Sequence, residues 1–369
     1  MLTPRSASHP STSLAGVFDP RRNSLSVLRL GLAAVVAVTH ALTNGFGRDV
    51  QLGGTELGEL AVDGFFVISG LLVARSYLSL RSFPRFTWHR FLRIMPGFWA
   101  CLAVTAVVAA PVVALVQRGN PMAAFEGDRS ATAYVTRNAA LLMQQYDIAG
   151  LPDDVHSAGV FNGALWTLVF EAVCYALLGL AGVCGLLQLR RRYLGLGLVA
   201  LWAALAAMHL GLLAVPGTLL PLLLRFSFLF ALGAAAWLSA DRLPIAWWLA
   251  ALSAVLLVVA LLTLEDYQAV GGPALAYLLV WTAVRAPLTW SPRTDLSYGV
   301  YIYHWPVQQL LVLAGLAALG TVPFVVLSLV GAGVCALASW HLVEAPSLRQ
   351  KDARWVGRFE RRRAVPARL

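Results

Sequence analysis

The chain is built from apolar segments long enough to cross a bilayer. They recur ten times, at about 25–43, 61–80, 92–117, 163–188, 194–214, 219–238, 244–263, 270–286, 296–316 and 322–342. About 20 apolar residues span a hydrocarbon core as a helix, and only helices and closed barrels satisfy every backbone polar group there. Ten such segments in 369 residues leave no room for a large soluble catalytic domain. Composition agrees: 59% of the residues are hydrophobic and 12% charged, against about 25% charged in soluble domains. The expected fold class is all-α, a polytopic integral membrane protein of about ten transmembrane helices.

Charge between the segments orients them. Arg21 and Arg22 precede the first, and Arg81, Arg85, Arg90 and Arg93 surround the start of the third. Arg190, Arg191 and Arg192 follow the fourth, Arg242 the sixth, and Arg285 and Arg293 lie between the eighth and ninth. The stretch from Arg349 onward is again basic. With ten crossings these all fall on one side, while Asp49, Glu56, Glu59, Glu126, Asp128, Glu265 and Asp266 fall on the other. Basic connections stay cytoplasmic, so both termini are expected there. The net charge of +10 is therefore a matter of topology and does not argue for nucleic acid. Three parts follow: a disordered cytoplasmic lead over 1–24, a transmembrane domain over 25–344 and a basic cytoplasmic tail over 345–369. A cleaved signal peptide is disfavoured, because Arg29 interrupts the first apolar run and no small-residue cleavage site follows it. The long connection 118–162 is expected to pack over an outer cavity.

Some chemistries lack their sequence support. Cys101, Cys174, Cys184 and Cys335 fall in apolar stretches without paired spacing, so neither a disulfide framework nor a metal site is expected. There is no P-loop and no GxSxG. No internal repeat is evident, which weakens a transporter reading.

Ionisable groups inside spans are costly and mark sites. In LSVLRLGLAAVVAVTHAL, Arg29 and His40 stand eleven positions apart. That is almost three helical turns, so they share a face, roughly 16 Å apart along the axis. Histidine can take a proton from a hydroxyl near neutral pH. In WHRFLRIMPGFW, Arg90 and Arg93 share a face. Their planar forks suit phosphate oxygens, although basic interfacial residues also serve topology alone. In VDGFFVISG, Asp63 would lie at the depth of His40 if the first two spans pack antiparallel, where it can orient an imidazole. The alternative is an interfacial carboxylate in water. Ser69 and Gly70 allow close helix approach. Glu171, in LWTLVFEAVCY, can bind acceptor hydroxyls, assist proton transfer, or join helices. Ser297, Tyr301, His304 and Gln308 form one stripe on the ninth span, either lining a cavity or gluing helices together.

Taken together, LRLGLAAVVAVTH, FFVISG, HRFLRIMP, LWTLVFE, LSYGVYIYHWP and LVEAPS resemble, in order and spacing, the acyltransferase-3 family of integral membrane acyltransferases. The likeness is to members without the SGNH hydrolase-like extension. The family's Arg-x10-His signature falls on Arg29 and His40, its Arg-x-x-Arg on Arg90 and Arg93, and the glutamate of its Trp-x4-Glu on Glu171 after Trp166. The resemblance implies transfer of an acyl group, most often acetyl from acetyl-CoA, to a hydroxyl of a carbohydrate or glycolipid at a bacterial inner membrane. His40 is then the expected catalytic base or transient acyl carrier, with Asp63 or Glu171 steadying it. Arg29, Arg90 and Arg93 are expected to hold the acyl-CoA, and Trp166, Tyr301 and His304 to contact the acceptor. No metal and no nucleic acid are expected, and membrane lipid is the surrounding partner. Two other readings compete: a lipid or polysaccharide flippase without chemistry, and a membrane scaffold in polysaccharide assembly.

Overall fold

The computed structural model describes residues 12–80, 82–189, 191–286 and 294–352. Each of the ten apolar segments is helical. They are α1 (Leu25–Phe46), α2 (Leu57–Leu80), α3 (Phe83–Arg118), α4 (Thr167–Val183), α5 (Arg191–His209), α6 (Leu219–Leu238), α7 (Trp247–Thr263), α8 (Gln268–Arg285), α9 (Ser297–Leu313) and α10 (Thr321–Asp352). Among the described residues, α1, α2, α3, α6 and α10 are long and apolar enough to cross a membrane. The only strands described are a short antiparallel hairpin, Gln51–Leu52 with Thr55–Glu56, between α1 and α2.

Local chemistry sets several boundaries. Pro84 stands in the first turn of α3, where its missing N–H costs nothing. A π-helical turn over Thr105–Ala109 interrupts α3 just before Pro111, whose missing N–H cannot join the i→i−4 ladder. Asp295 accepts from the Ser297 backbone N–H at 3.3 Å and from the Ser297 hydroxyl at 2.7 Å. It places a carboxylate at the positive end of α9.

The packing brings distant segments together. α2 lies most closely on α6, while α1 packs on α2, α9 and α10. The α2–α6 crossing depends on two glycines: a Cβ on Gly70 would sit 1.9 Å from the Phe230 carbonyl oxygen, and one on Gly233 the same distance from that of Val67. Only a residue without a side chain lets two backbones approach so closely, as expected for Gly70. The connection 119–162 is ordered by buried amides. Asn138 donates to the Gln145 carbonyl at 2.7 Å, and Gln145 donates to those of Arg129 and Asp147 at 2.9 Å each. The connection is fixed to the bundle where Asn162 donates to the Ile302 carbonyl and Gln309 to that of Val160, both at 2.8 Å.

Parts of both ends pack on the bundle. Residues 12–24 are not a disordered lead. Ile245 N–H donates to the Thr12 carbonyl at 2.7 Å, Leu14 N–H to that of Leu243 at 2.8 Å, and the Leu14 side chain is fully buried. The physical reason is the apolar run Leu14–Phe18, whose Phe18 packs edge-on against Trp237 at 5.1 Å. Residues 345–352, the start of the expected basic tail, are ordered. They extend α10 and dock on the start of α3, with Arg85–Asp352 at 2.9 Å and the Trp88 indole N–H on the Gln350 carbonyl at 3.0 Å. Residues 1–11, Arg81, Arg190, Arg293 and the basic stretch beyond Asp352 lie outside the described residues, as do the side chains of Arg191 and Arg192.

Candidate active site

Two cavities meet inside the bundle. The first, of about 760 Å³, is walled by Arg29, Arg90, Arg93, Glu171 and Tyr175 among others. The second, of about 570 Å³, is walled by His40, Glu56, Glu59, Trp166 and Arg225 among others. Val62, Thr167 and Tyr301 belong to both walls. Arg29 and His40, a single face of α1, therefore open into two adjoining spaces.

His40 has a defined tautomer. Its Nδ1 lies 2.8 Å from His304 Nε2, and His304 Nδ1 lies 3.1 Å from the Val300 carbonyl oxygen. A carbonyl only accepts, so His304 carries its proton on Nδ1 and its Nε2 accepts. His40 then donates from Nδ1 and keeps an unprotonated Nε2, the form a general base requires. The two imidazoles lie nearly parallel with centroids 5.1 Å apart, and Trp305 closes on His40 edge-on at 4.7 Å. A Cβ on Gly163 would strike the Trp305 ring at 2.5 Å, so glycine lets the chain pass behind that ring. His304 is fully buried and stands behind His40, off the cavity wall. The sequence expected it to contact the acceptor; in the structure its ring nitrogen meets His40.

The carboxylates expected to steady His40 are engaged elsewhere. Asp63 is fully buried and takes a two-pronged Arg225 contact, Nε at 3.0 Å and Nη2 at 2.9 Å, plus the Tyr267 hydroxyl at 2.6 Å. Arg225 also reaches Glu59 at 3.0 Å. Asp63 serves an ion-pair network, because a buried charge needs a full complement of partners. Glu171 lines the arginine cavity, where Ser69 donates to it at 2.8 Å and Tyr175 at 2.5 Å. Its hydrogen bonds do not reach His40.

The three arginines differ. Asp295 Oδ2 binds both Arg29 Nη1, at 2.6 Å, and Arg93 Nη2, at 2.7 Å. Arg93 also lies 3.7 Å from Glu344. Burial alone would raise the Asp295 carboxyl, but the two guanidiniums hold it well below the usual carboxylate range. Arg90 makes no ion pair among the described residues. Its guanidinium lies over Tyr175, 5.6 Å from the ring centroid, and its Nε is buried without a hydrogen-bond partner. A polyanion entering this cavity would find Arg90 without an ion pair and two further guanidiniums joined through Asp295. The residues thus suit a polyanionic group such as a phosphate.

In the second cavity, Trp166 presents its ring beside Phe226, 6.0 Å between centroids. Burial, then the neighbouring Glu59 and Asp49, push the Glu56 carboxyl up. Tyr301 donates to the Ala164 carbonyl at 3.0 Å and lies 2.5 Å from Thr167 Oγ1. Arg225 and Asp295 were not among the sequence candidates. A lone arginine in LLPLLLRFSFLF carried the same signal as Arg29, and Asp295 was an acid among basic connections.

Comparison with known proteins decides the class. The family model described as an acyltransferase domain, acyltransferase-3, matches residues 22–341. The chain belongs to the acyltransferase-3 family. Nodulation protein 10 of Rhizobium leguminosarum bv. viciae is 28% identical to it over 365 residues, covering 90% of this chain and 95% of that protein. An O-acetyl transferase of Shigella phage Sf6 is 28% identical over 341 residues, covering 88% and 95%. No solved structure matches the chain. The family and the apolar helices together give a membrane-helix acyltransferase, and both cavities lie within the matched residues.

Proposed function

We propose that this chain moves an acyl group, most simply acetyl, from acyl-CoA to a hydroxyl of a carbohydrate or glycoconjugate at a bacterial cell membrane. The observation that carries the reading is the pair of adjoining cavities, one lined by arginines and the other opening onto His40. Ten crossings with both termini cytoplasmic put the arginine cavity on the cytoplasmic side, where acyl-CoA is present.

The residues divide the work. Arg90 receives the donor's phosphates first, and Arg29 and Arg93 turn toward them from Asp295. The donor, when bound, supplies a thioester whose C–S bond breaks as a C–O bond forms. His40 Nε2 takes the proton of the acceptor hydroxyl and returns it to the departing sulfur, so the imidazole ends neutral. His304 Nε2 accepts from His40 Nδ1–H throughout and stabilises the transient imidazolium, the part a carboxylate plays in hydrolytic triads. Trp166, Glu56, Glu59 and Arg225 give the acceptor side an aromatic face with hydroxyl-binding groups, suited to a saccharide.

Membrane vesicles of the native cell carry the acceptor and so supply the test. Labelled acetyl-CoA should mark their carbohydrate fraction, and vesicles from cells lacking the chain should not. Equal labelling in both would reject acyl transfer and favour a flippase.

A further inference from the structure

Three residues, from three helices, line both cavities. Val62 comes from α2, Thr167 from the first turn of α4 and Tyr301 from α9. The latter two are buried and locked together. The Tyr301 hydroxyl donates to the Ala164 carbonyl at 3.0 Å and lies 2.5 Å from Thr167 Oγ1, which also reaches that carbonyl at 3.4 Å. Phe65 packs edge-on against the Tyr301 ring at 5.8 Å, and the His304 ring lies 6.2 Å from it. This side of the passage cannot widen without breaking a buried hydrogen-bonded pair, which costs the desolvation of its members. Val62 is half-buried, makes no polar bond and is free to be trimmed or enlarged.

We infer that Val62, Thr167 and Tyr301 gauge the acyl group, restricting this chain to short acyl chains and making these residues determinants of donor specificity. The inference rests on the acyl-transfer reading: the acyl carbon must come from the arginine cavity to His40, and the space shared by both walls is the way across. A rigid apolar wall separates substrates differing by one methylene by about 10-fold or more. Acetyl should therefore pass, with propionyl and butyryl falling off in steps. Val62 enters as a side chain of size, outside the proton-transfer chemistry, and Thr167 and Tyr301 as the fixed opposite wall.

The test uses the full-length chain in native vesicles with labelled acetyl-, propionyl- and butyryl-CoA, reading the ratio of labels in carbohydrate. Val62→Ala should raise the butyryl-to-acetyl ratio by about tenfold or more. Val62→Leu should lower the propionyl-to-acetyl ratio. Thr167→Ser, which keeps the hydroxyl and removes one methyl from the opposite wall, should act in the same direction as Val62→Ala. A ratio taken within one sample does not depend on how much protein folds. Ratios within twofold of wild type in all three variants would overturn the gauge while leaving acyl transfer intact. Absence of labelling from every donor by wild type would overturn the acyl-transfer reading, and the gauge with it.

Discussion

Asp295 shows how much one side chain can organise. One oxygen caps α9 through Ser297, and the other joins Arg29 of α1 to Arg93 of α3. Asp295→Asn keeps the shape and the cap but removes the carboxylate the two guanidiniums share, leaving only Glu344 beside Arg93. The side chain is 28% exposed, so the loss should fall short of that for a fully buried pair, at about 2 kcal/mol. A lowered midpoint of thermal unfolding in detergent checks this; an unchanged midpoint would mean the pairs add nothing. The folded-state pKa is depressed, so the stabilisation is present above the unfolded value of about 4 and is lost as pH falls through the lower folded value. Between pH 7 and pH 5 this contribution should stay constant. Sequence reasoning found Arg29, His40, Arg90 and Arg93 because charge in an apolar run is visible without a structure. It could not find their partners. His304 was visible as one of a polar stripe, but its pairing with His40 across 264 positions depends on how α9 rotates against α1. The partner of Asp63 was not legible because depth alone does not choose between neighbours, and Arg225 comes from α6.

At the scale of elements, the α2–α6 crossing is set by backbone contact. Gly70→Val would force a Cβ against the Phe230 carbonyl, separating two helices that together carry Asp63, Ser69 and Arg225. Overpacking into side chains costs about 1–3 kcal/mol, and backbone yields less, so at least about 3 kcal/mol is expected here. Gly31 on α1 is the internal control, since a Cβ there meets nothing within 4 Å. Gly31→Ala should be neutral or stabilise by about 0.5 kcal/mol, the usual helical gain. Thermal unfolding of the two variants side by side decides the point. The helices themselves were legible, all ten appearing where apolar length placed them. Their ends were not. The segment 12–24 looked too polar to pack, yet a short apolar run bound it to the α6–α7 connection. Residues 345–352 looked like tail because docking on α3 leaves no periodic mark in eight residues.

Across the whole molecule, one helix face, α1, presents an arginine to one cavity and a histidine to the next. The other helices close those cavities separately and join them at three shared residues. Family membership supplies the reaction class, and the division of labour proposed above assigns its two ends to the two cavities. The central claim is that His40, oriented by His304, is the group on which acyl transfer turns. The most direct measurement compares wild type and His40→Ala in native vesicles with labelled acetyl-CoA, at equal amounts of inserted protein. Loss of a general base should lower the rate by about 10²–10⁴-fold, with the thermal midpoint nearly unchanged. Transfer by His40→Ala within a few-fold of wild type would contradict it.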